Sequence, residues 1–213
     1  MRIVFVLLML GCGFSASAQI GSIIGGNIPN KERQVKKSKN TSFSTVKLSY
    51  AITKNTNTEK EKVTAIYKWI AAHISYDNEL RLSEKLQKEI YTSEDNVMKK
   101  VLERKMALCG GYAFLFKSMC EDVGISAEVI HGFTKDYSGK VRKSKKPNHT
   151  WNAVKLNGKW QLLDITWAIS YGTPNGTDDF WFLTKPTDFI YTHYPEIPKW
   201  SLLENEISHS KFK

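Results

Sequence analysis

The segment that most restricts the fold of this chain is HTWNAVKLNGKWQLLD, residues 149–164. Apolar and polar residues follow a period of two on both sides of Asn157 and Gly158, and this period is typical of a half-buried strand. An Asn-Gly pair between two such runs is a strong short-range signal for a two-residue hairpin turn. The segment therefore predicts two antiparallel strands joined at Asn157 and Gly158.

The register of this hairpin determines which side chains share a face. Counting outward from the turn places Trp151 opposite Asp164 and His149 opposite Thr166. His149 and Asp164 are then diagonal neighbours on one face, within reach of each other. A carboxylate beside an imidazole holds one ring nitrogen so that the other can act as a base. A one-residue bulge would move one of the partners to the opposite face.

Helical periodicity precedes the hairpin. Residues 58–77, TEKEKVTAIYKWIAAHISYD, begin with Thr58 as an N-cap and Glu61 three positions later, and apolar residues follow at helical spacing. Two more helices are expected over about 95–104 and over 109–122, the second closed by Gly124. A further strand is expected in ISAEVIHGFTKD, residues 125–136. Helices first and antiparallel strands second indicate an α+β fold with the helices packed on the sheet.

The chain of 213 residues is long enough for one domain with a leader and a tail. Residues 1–18, MRIVFVLLMLGCGFSASA, have a basic start, an apolar run too short to span a bilayer, and the small residues of an export-signal cleavage site. We expect cleavage before Gln19, a flexible leader over 19–45, the domain over 46–205 and a tail over 206–213. This organisation predicts export to the periplasm or the extracellular space without a transmembrane span, with lipid attachment at Cys12 as the alternative.

Basic residues outnumber acidic ones, 31 to 21, and the formal charge is +10. The densest basic group lies in KVRKSKKPNH, residues 140–149, which lacks an apolar period and is expected to form a solvated loop. An exported basic protein meets anionic cell surfaces or a cell wall rather than nucleic acid, so no nucleic-acid partner is expected. Apart from being a solvated loop, this segment has two alternative functions. One is nucleic-acid binding, which would be sensitive to salt, and the other is steering of acidic substrates toward His149.

Cys109 and Cys120 are the cysteines that remain after signal cleavage. Within one helix they would lie about 16 Å apart, whereas a disulfide needs Cα atoms within roughly 7 Å. We therefore expect two thiols, with Cys120 as buried filler. Cys109 differs because it begins the helix, where the dipole and the N–H groups of the first turn stabilise a thiolate. Gly110 and Gly111 are poor helix formers, which indicates that backbone or substrate approaches the sulfur closely.

A nucleophilic thiol needs a base, and the hairpin selects His149 from the five histidines of the chain. The histidines for which we expect a surface or hydrogen-bonded core position are His73, His131, His193 and His209. Cys109, His149 and Asp164 have the order and the residue types of a thiol hydrolase triad.

Three blocks of the sequence resemble the transglutaminase-like superfamily, the papain-related group that includes animal transglutaminases, peptide N-glycanases and kyphoscoliosis-type peptidases. They are LCGGYAFLFKSMCEDVGISAEVIHG, HTWNAVKLNGKW and LLDITWA, and the later stretch DFWFLTKPTDFIYTHYPEIPKW is similar to the kyphoscoliosis-type members. The resemblance covers about residues 65–203. It implies a papain-like core with Cys109 as the nucleophile, His149 as the general base and Asp164 as the residue that orients the base.

The resemblance extends to the surroundings of the triad. The Cys109 N–H is the expected oxyanion donor, and Ala107 stands where many members have glycine. The residues expected to contact substrate are Gly110, Gly111, Tyr112, Trp151 and Trp167. No metal or cofactor is implied, and a monomer is expected.

The sequence thus predicts a secreted cysteine hydrolase, a peptidase or amidase, that acts on a protein or peptide through a thioester. One alternative is transfer of the acyl group to an amine, as in cross-linking transglutaminases, and another is a non-catalytic binding module that retains the fold. Nothing in the chain resembles the β domains or calcium sites of animal transglutaminases, and the CxxC pairs usual in peptide N-glycanases are missing from the sequence. The first difference favours hydrolysis, and the second argues against the N-glycanase branch.

Overall fold

The computed structural model describes residues 44–135, 138–141, 146–173 and 176–212. The predicted export signal with Cys12, nearly all of the predicted leader, and residues 142–145 of the basic loop lie outside these ranges. Within the described ranges, no helix combines the length and the apolar character needed to cross a membrane.

The described part of the chain has the predicted α+β architecture, in which helices α1 to α6 precede the main sheet. Its α-helices are α1 (Val46–Thr53), α2 (Glu59–His73), α3 (Asn78–Leu82), α4 (Glu84–Ile90), α5 (Glu94–Arg104), α6 (Cys109–Asp122), α7 (Ile165–Tyr171), α8 (Pro186–Phe189) and α9 (His209–Phe212). Its strands are β1 (Ser75–Tyr76), β2 (Met106–Ala107), β3 (Ala127–Thr134), β4 (His149–Leu156), β5 (Lys159–Leu163) and β6 (His193–Pro195). Short 3₁₀ turns cover Asp179–Trp181 and Pro198–Ser201.

The main sheet has the strand order β5-β4-β3-β6, and all its neighbouring strands are antiparallel. The predicted hairpin forms β4 and β5. Asn157 and Gly158 have positive φ angles of 49° and 79°, as the type I′ turn requires at both central positions. Strand β3 lies between β4 and β6, and Gly132 pairs with His149 on one side and with Pro195 on the other. The sheet therefore brings the short strand β6 close to the start of β4.

The hairpin register is confirmed from the turn as far as Asn152 opposite Leu163. Beyond that pair the prediction is wrong, because β5 ends at Leu163 and the chain turns into α7. Asp164 becomes the N-cap of this helix and Thr166 lies inside it, so neither residue pairs across a strand with Trp151 or His149. An N-cap aspartate accepts backbone N–H groups from the first turn, and this interaction ends the strand in favour of the helix.

The predicted helices are confirmed with small shifts at their ends. Thr58 and Glu61 form a complete capping box at the start of α2. Helix α6 spans Cys109–Asp122 and ends in a Schellman motif at Gly124, whose φ is +81°, with the Ile125 N–H bonded to the Cys120 carbonyl. The short helices α1, α3 and α4 were not expected from the sequence, because they are too brief to show a periodic pattern.

Helix α6 lies at the centre of the core, packed between strands β3 and β4 on one side and helices α1, α2 and α5 on the other. Its fully buried side chains include Leu115, Phe116, Met119 and Cys120. Both Cys109 and Cys120 are thiols, as expected, and burial raises the pKa of Cys120. A second small cluster unites Phe133, Tyr194 and Phe212, so the last described residues of the chain pack on β3 and β6.

Substitution by alanine should affect stability differently at the two glycines that follow Cys109. A Cβ on Gly111 would lie 2.8 Å from Val101 Cγ2 and 3.1 Å from Ala107 Cβ, whereas a Cβ on Gly110 would meet Tyr91 Cε1 at 3.4 Å, an ordinary contact. Both substitutions gain helix propensity, but only Gly111→Ala overpacks the α5–α6 contact. We expect the free energy of unfolding of Gly111→Ala to be about 1–3 kcal/mol lower than that of Gly110→Ala. Urea unfolding of the two variants measures this difference, and equal stabilities would contradict the packing described here.

Candidate active site

Cys109 is the first residue of α6. Leu108, the residue before the helix, has extended backbone angles, and the first intrahelical bond runs from the Tyr112 N–H to the Leu108 carbonyl at 3.1 Å. The backbone N–H groups of the first turn precede this bond and have no acceptor within an α-helix. Cys109 is partly exposed at this end of the helix. A sulfur in this position lies in the positive field of the helix N-terminus.

His149 and Asp164 are in direct contact. His149 begins β4, and its Nε2 lies 2.5 Å from Asp164 Oδ2, with both side chains almost fully buried. The other carboxylate oxygen, Oδ1, accepts a hydrogen bond from the backbone N–H of Trp167 at 3.0 Å. The sequence placed the two side chains together through a cross-strand pairing, whereas the structure joins them through the N-cap of α7.

The buried Asp164 is an ionised carboxylate. Burial acts to raise its pKa, but the charge and the hydrogen bond of His149, together with the hydrogen bond of His193, outweigh burial and hold the pKa well below its usual range. The carboxylate therefore stays negative beside His149 at neutral pH. Because Nε2 of His149 is occupied by Asp164, Nδ1 is the ring nitrogen that can exchange a proton with a thiol.

Cys109 and His149 line the same cleft, which has a volume of about 510 Å³. The apolar part of its lining comprises Tyr91, Leu108 and Phe114, and the polar and charged part includes His131, Lys146, Asn148, Thr150 and Glu196. A substrate in this cleft would lie against the partly exposed Cys109. Lys146 and Pro147 belong to the end of the predicted basic loop, so the described end of this loop contributes to the cleft wall.

The residues expected to contact substrate separate into two groups. Gly110 lines the cleft beside Cys109. The other four, Gly111, Tyr112, Trp151 and Trp167, lie in the protein interior. For example, the Tyr112 hydroxyl donates to the Ile74 carbonyl at 3.1 Å, which ties α6 to the end of α2. The structure gives these four residues packing contacts rather than a place on the cleft wall.

The sequence predicted a surface or hydrogen-bonded core position for His193, and the structure confirms the core position but adds a contact with Asp164 that was not predicted. The structure buries it fully and places its Nε2 3.0 Å from Asp164 Oδ2, the oxygen that also contacts His149. Its Nδ1 lies 2.8 Å from Thr192 Oγ1. Strand β6 has only three residues, so no period could reveal this position. The available signal was the stretch DFWFLTKPTDFIYTHYPEIPKW, which contains His193 and to which no role was given.

His149, Asp164 and His193 are also close enough to hold a metal ion, since one ligand atom of each lies within 4.8 Å of the other two. However, Asp164 Oδ2 lies at hydrogen-bond distance from both imidazoles, 2.5 and 3.0 Å. An oxygen that accepts two ring N–H groups is already satisfied. The geometry of this group is therefore that of a hydrogen-bond network.

Comparison with known proteins gives consistent matches. The sequence model of the transglutaminase-like superfamily matches residues 46–165, more than half of the chain. Human kyphoscoliosis peptidase is 32% identical over 165 residues, which cover 74% of this chain and 24% of that protein. Hillarin of Drosophila melanogaster is 30% identical over 121 residues, 48% of this chain and 15% of the relative.

Among solved structures, a TGase shares 24% identity with a TM-score of 0.42, over 60% of this chain and 31% of that one. The chain spans a quarter or less of the length of the two relatives named above. The family match covers the residues from α1 to the start of α7, including Cys109, His149 and Asp164. The chain belongs to the transglutaminase-like superfamily.

Proposed function

We propose that this protein is a cysteine hydrolase, a peptidase or amidase, in which Cys109, His149 and Asp164 form the catalytic triad. The observation that carries the proposal is the buried 2.5 Å contact between His149 and Asp164 at a cleft that Cys109 also lines. A histidine held in this way presents its second nitrogen to the cleft as a base, which is the arrangement that activates a thiol. The peptidase named among the relatives supports the same class of reaction.

The first half of the reaction transfers an acyl group from nitrogen to sulfur. His149 takes the Cys109 proton, and the thiolate attacks the carbonyl carbon of the substrate amide. Asp164 stabilises the imidazolium that results. The tetrahedral intermediate collapses to a thioester when His149 returns the proton to the leaving amine. The N–H groups at the start of α6, that of Cys109 included, are suited to bind the oxyanion.

The second half of the reaction transfers the acyl group from sulfur to an acceptor. His149 removes a proton from water, the resulting hydroxide attacks the thioester, and the carboxylic acid and the Cys109 thiol are released. An amine could attack in the place of water and would give a new amide. The triad serves both acceptors equally, and we propose water because a relative named above is a peptidase.

The substrate we propose is a protein or peptide met outside the cytoplasm. The cleft volume of about 510 Å³ is in the range of small-molecule and side-chain sites. Export rests on residues 1–18, with their basic start, apolar run and small-residue cleavage site. Lys146 on the cleft wall supports a role of the basic loop in attracting acidic substrates.

The triad predicts that Cys109 reacts selectively with iodoacetamide at neutral pH. We expect Cys109 to be alkylated at least about tenfold faster than a small reference thiol, because the helix N-terminus and His149 favour the thiolate. Cys120 should react only after unfolding, since it is fully buried. Mass spectrometry of proteolytic peptides identifies the labelled cysteine.

Two variants complete this labelling experiment. Cys120→Ala is the matched control, since it removes a thiol outside the cleft and should leave the labelling rate within about twofold. His149→Ala removes the base and should slow labelling to the rate of the reference thiol. A wild-type rate equal to that of the reference thiol, unchanged in His149→Ala, would rule out catalysis and favour a binding module.

The acceptor can be determined from products. The protein is incubated with a peptide library, with and without a primary amine, and the products are identified by mass spectrometry. We expect cleaved or deamidated peptides that disappear in Cys109→Ser, with a loss of activity of roughly 10³-fold or more. Amine adducts in place of hydrolysis products would show that acyl transfer is the reaction.

A further inference from the structure

His193 is a buried histidine that bonds to the Asp164 carboxylate. It lies outside residues 46–165, the segment that the family model matches. It lies on β6, and its Nε2 is 3.0 Å from Asp164 Oδ2, while its Nδ1 is 2.8 Å from Thr192 Oγ1. The ring is inaccessible to solvent and does not line the cleft. It therefore cannot contact a substrate, and any effect on the reaction must pass through Asp164.

The surroundings of the ring determine its protonation state. Aromatic rings lie around it, with centroids 4.2 Å away for Phe189, 4.4 Å for Trp167, 5.1 Å for Trp151 and 5.3 Å for Trp181. In the described ranges, the titratable groups that act on it are Asp164 and His149. Burial lowers the pKa of His193 to about 4 despite the opposing hydrogen bond and charge of Asp164. The ring is neutral at neutral pH.

A neutral imidazole with both nitrogens in hydrogen bonds has only one consistent tautomer here. The carboxylate of Asp164 can only accept, so the proton lies on Nε2 and is donated to Oδ2. Nδ1 is then an acceptor, and the Thr192 hydroxyl donates to it at 2.8 Å rather than to the Phe189 carbonyl, which lies farther away at 3.4 Å. The Thr192 hydroxyl thus supports the tautomer that Asp164 requires.

We propose that His193 is a positioning residue that fixes the Asp164 carboxylate for His149 and supplies a neutral third donor, so that the carboxylate remains an oriented anion. The proposal rests on the proposed function of the triad. Three donors reach Asp164 from three different elements, namely His149 of β4, Trp167 of α7 and His193 of β6. Donors on separate elements prevent the carboxylate from rotating. A neutral donor also avoids a second positive charge that would compete with the His149 imidazolium.

The test compares His193→Met with His193→Gln. The two side chains are similar in length and flexibility, but only glutamine retains an N–H donor for Asp164 Oδ2. The probe is the rate of Cys109 alkylation by iodoacetamide between pH 5 and 9. We expect roughly 10- to 100-fold slower alkylation at pH 6 for His193→Met, which is the effect of losing one hydrogen bond to a charged group. His193→Gln should remain within about threefold of the wild-type rate.

The pH profile separates positioning from a merely structural role. Without the His193 donor the Asp164 carboxylate can rotate away from His149 Nε2, which weakens its hold on the His149 imidazolium and so disfavours the Cys109 thiolate that pairs with this imidazolium. The acid limb of the alkylation profile is the pH range over which the rate rises as the thiolate forms. This limb should therefore move to higher pH in His193→Met and stay in place in His193→Gln. Equal slowing of both variants without movement of the limb, or profiles that superimpose on the wild type, would overturn the proposal.

Thr192 provides a second test if His193→Met does not fold. Thr192→Val removes the hydroxyl that bonds Nδ1, whereas Thr192→Ser retains it. We expect the acid limb to move in the same direction, by a smaller amount, only in Thr192→Val. The alkylation rate of the wild-type protein tests the proposed triad itself. A wild-type Cys109 that reacts like a small reference thiol at every pH overturns both proposals, whereas a fast wild type with unmoved variants overturns the role of His193 alone.

Discussion

The site depends on one buried negative charge. The Asp164 carboxylate has lost nearly all contact with water, and an ion in this environment is stable only when donors replace its hydration. Those donors are the two imidazoles and the Trp167 N–H. Removing one partner of a buried ionic group typically costs about 3–5 kcal/mol, so the same contacts that orient His149 also hold β4, α7 and β6 together.

The hairpin and the central helix could be predicted because their signals are local. The Asn157-Gly158 turn fixes the register of β4 and β5, and the span of α6 follows from its apolar spacing and from Gly124. The proximity of the His149 and Asp164 side chains was also predicted from the sequence. The manner of their contact was not, because the change from strand to helix at Asp164 depends on hydrogen bonds to Trp167 and Trp181 that form only in the folded chain.

Long-range contacts account for what the sequence could not indicate. Tyr91 and Glu196 line the cleft although they lie far from Cys109 and His149 in the sequence. The burial of Trp151 and Trp167 likewise depends on aromatic residues from later segments, among them Phe189 and Trp181. An aromatic side chain next to a residue of the proposed triad in the sequence can face the core as easily as the cleft, and only the packing of distant elements determines which.

The segment after the family match completes the site. The match ends at residue 165, yet the Trp181 carbonyl accepts the Asp164 N–H at 2.9 Å, and the Thr184 N–H bonds to the Leu162 carbonyl at 2.9 Å. Trp181 also packs edge-on against Trp167, and β6 then adds His193. The matched core thus supplies the three groups proposed to react, whereas the following residues bury Asp164 and provide donors to it. Since burial without donors would neutralise the carboxylate, the two parts of the chain must fold together for His149 to have an ionised partner.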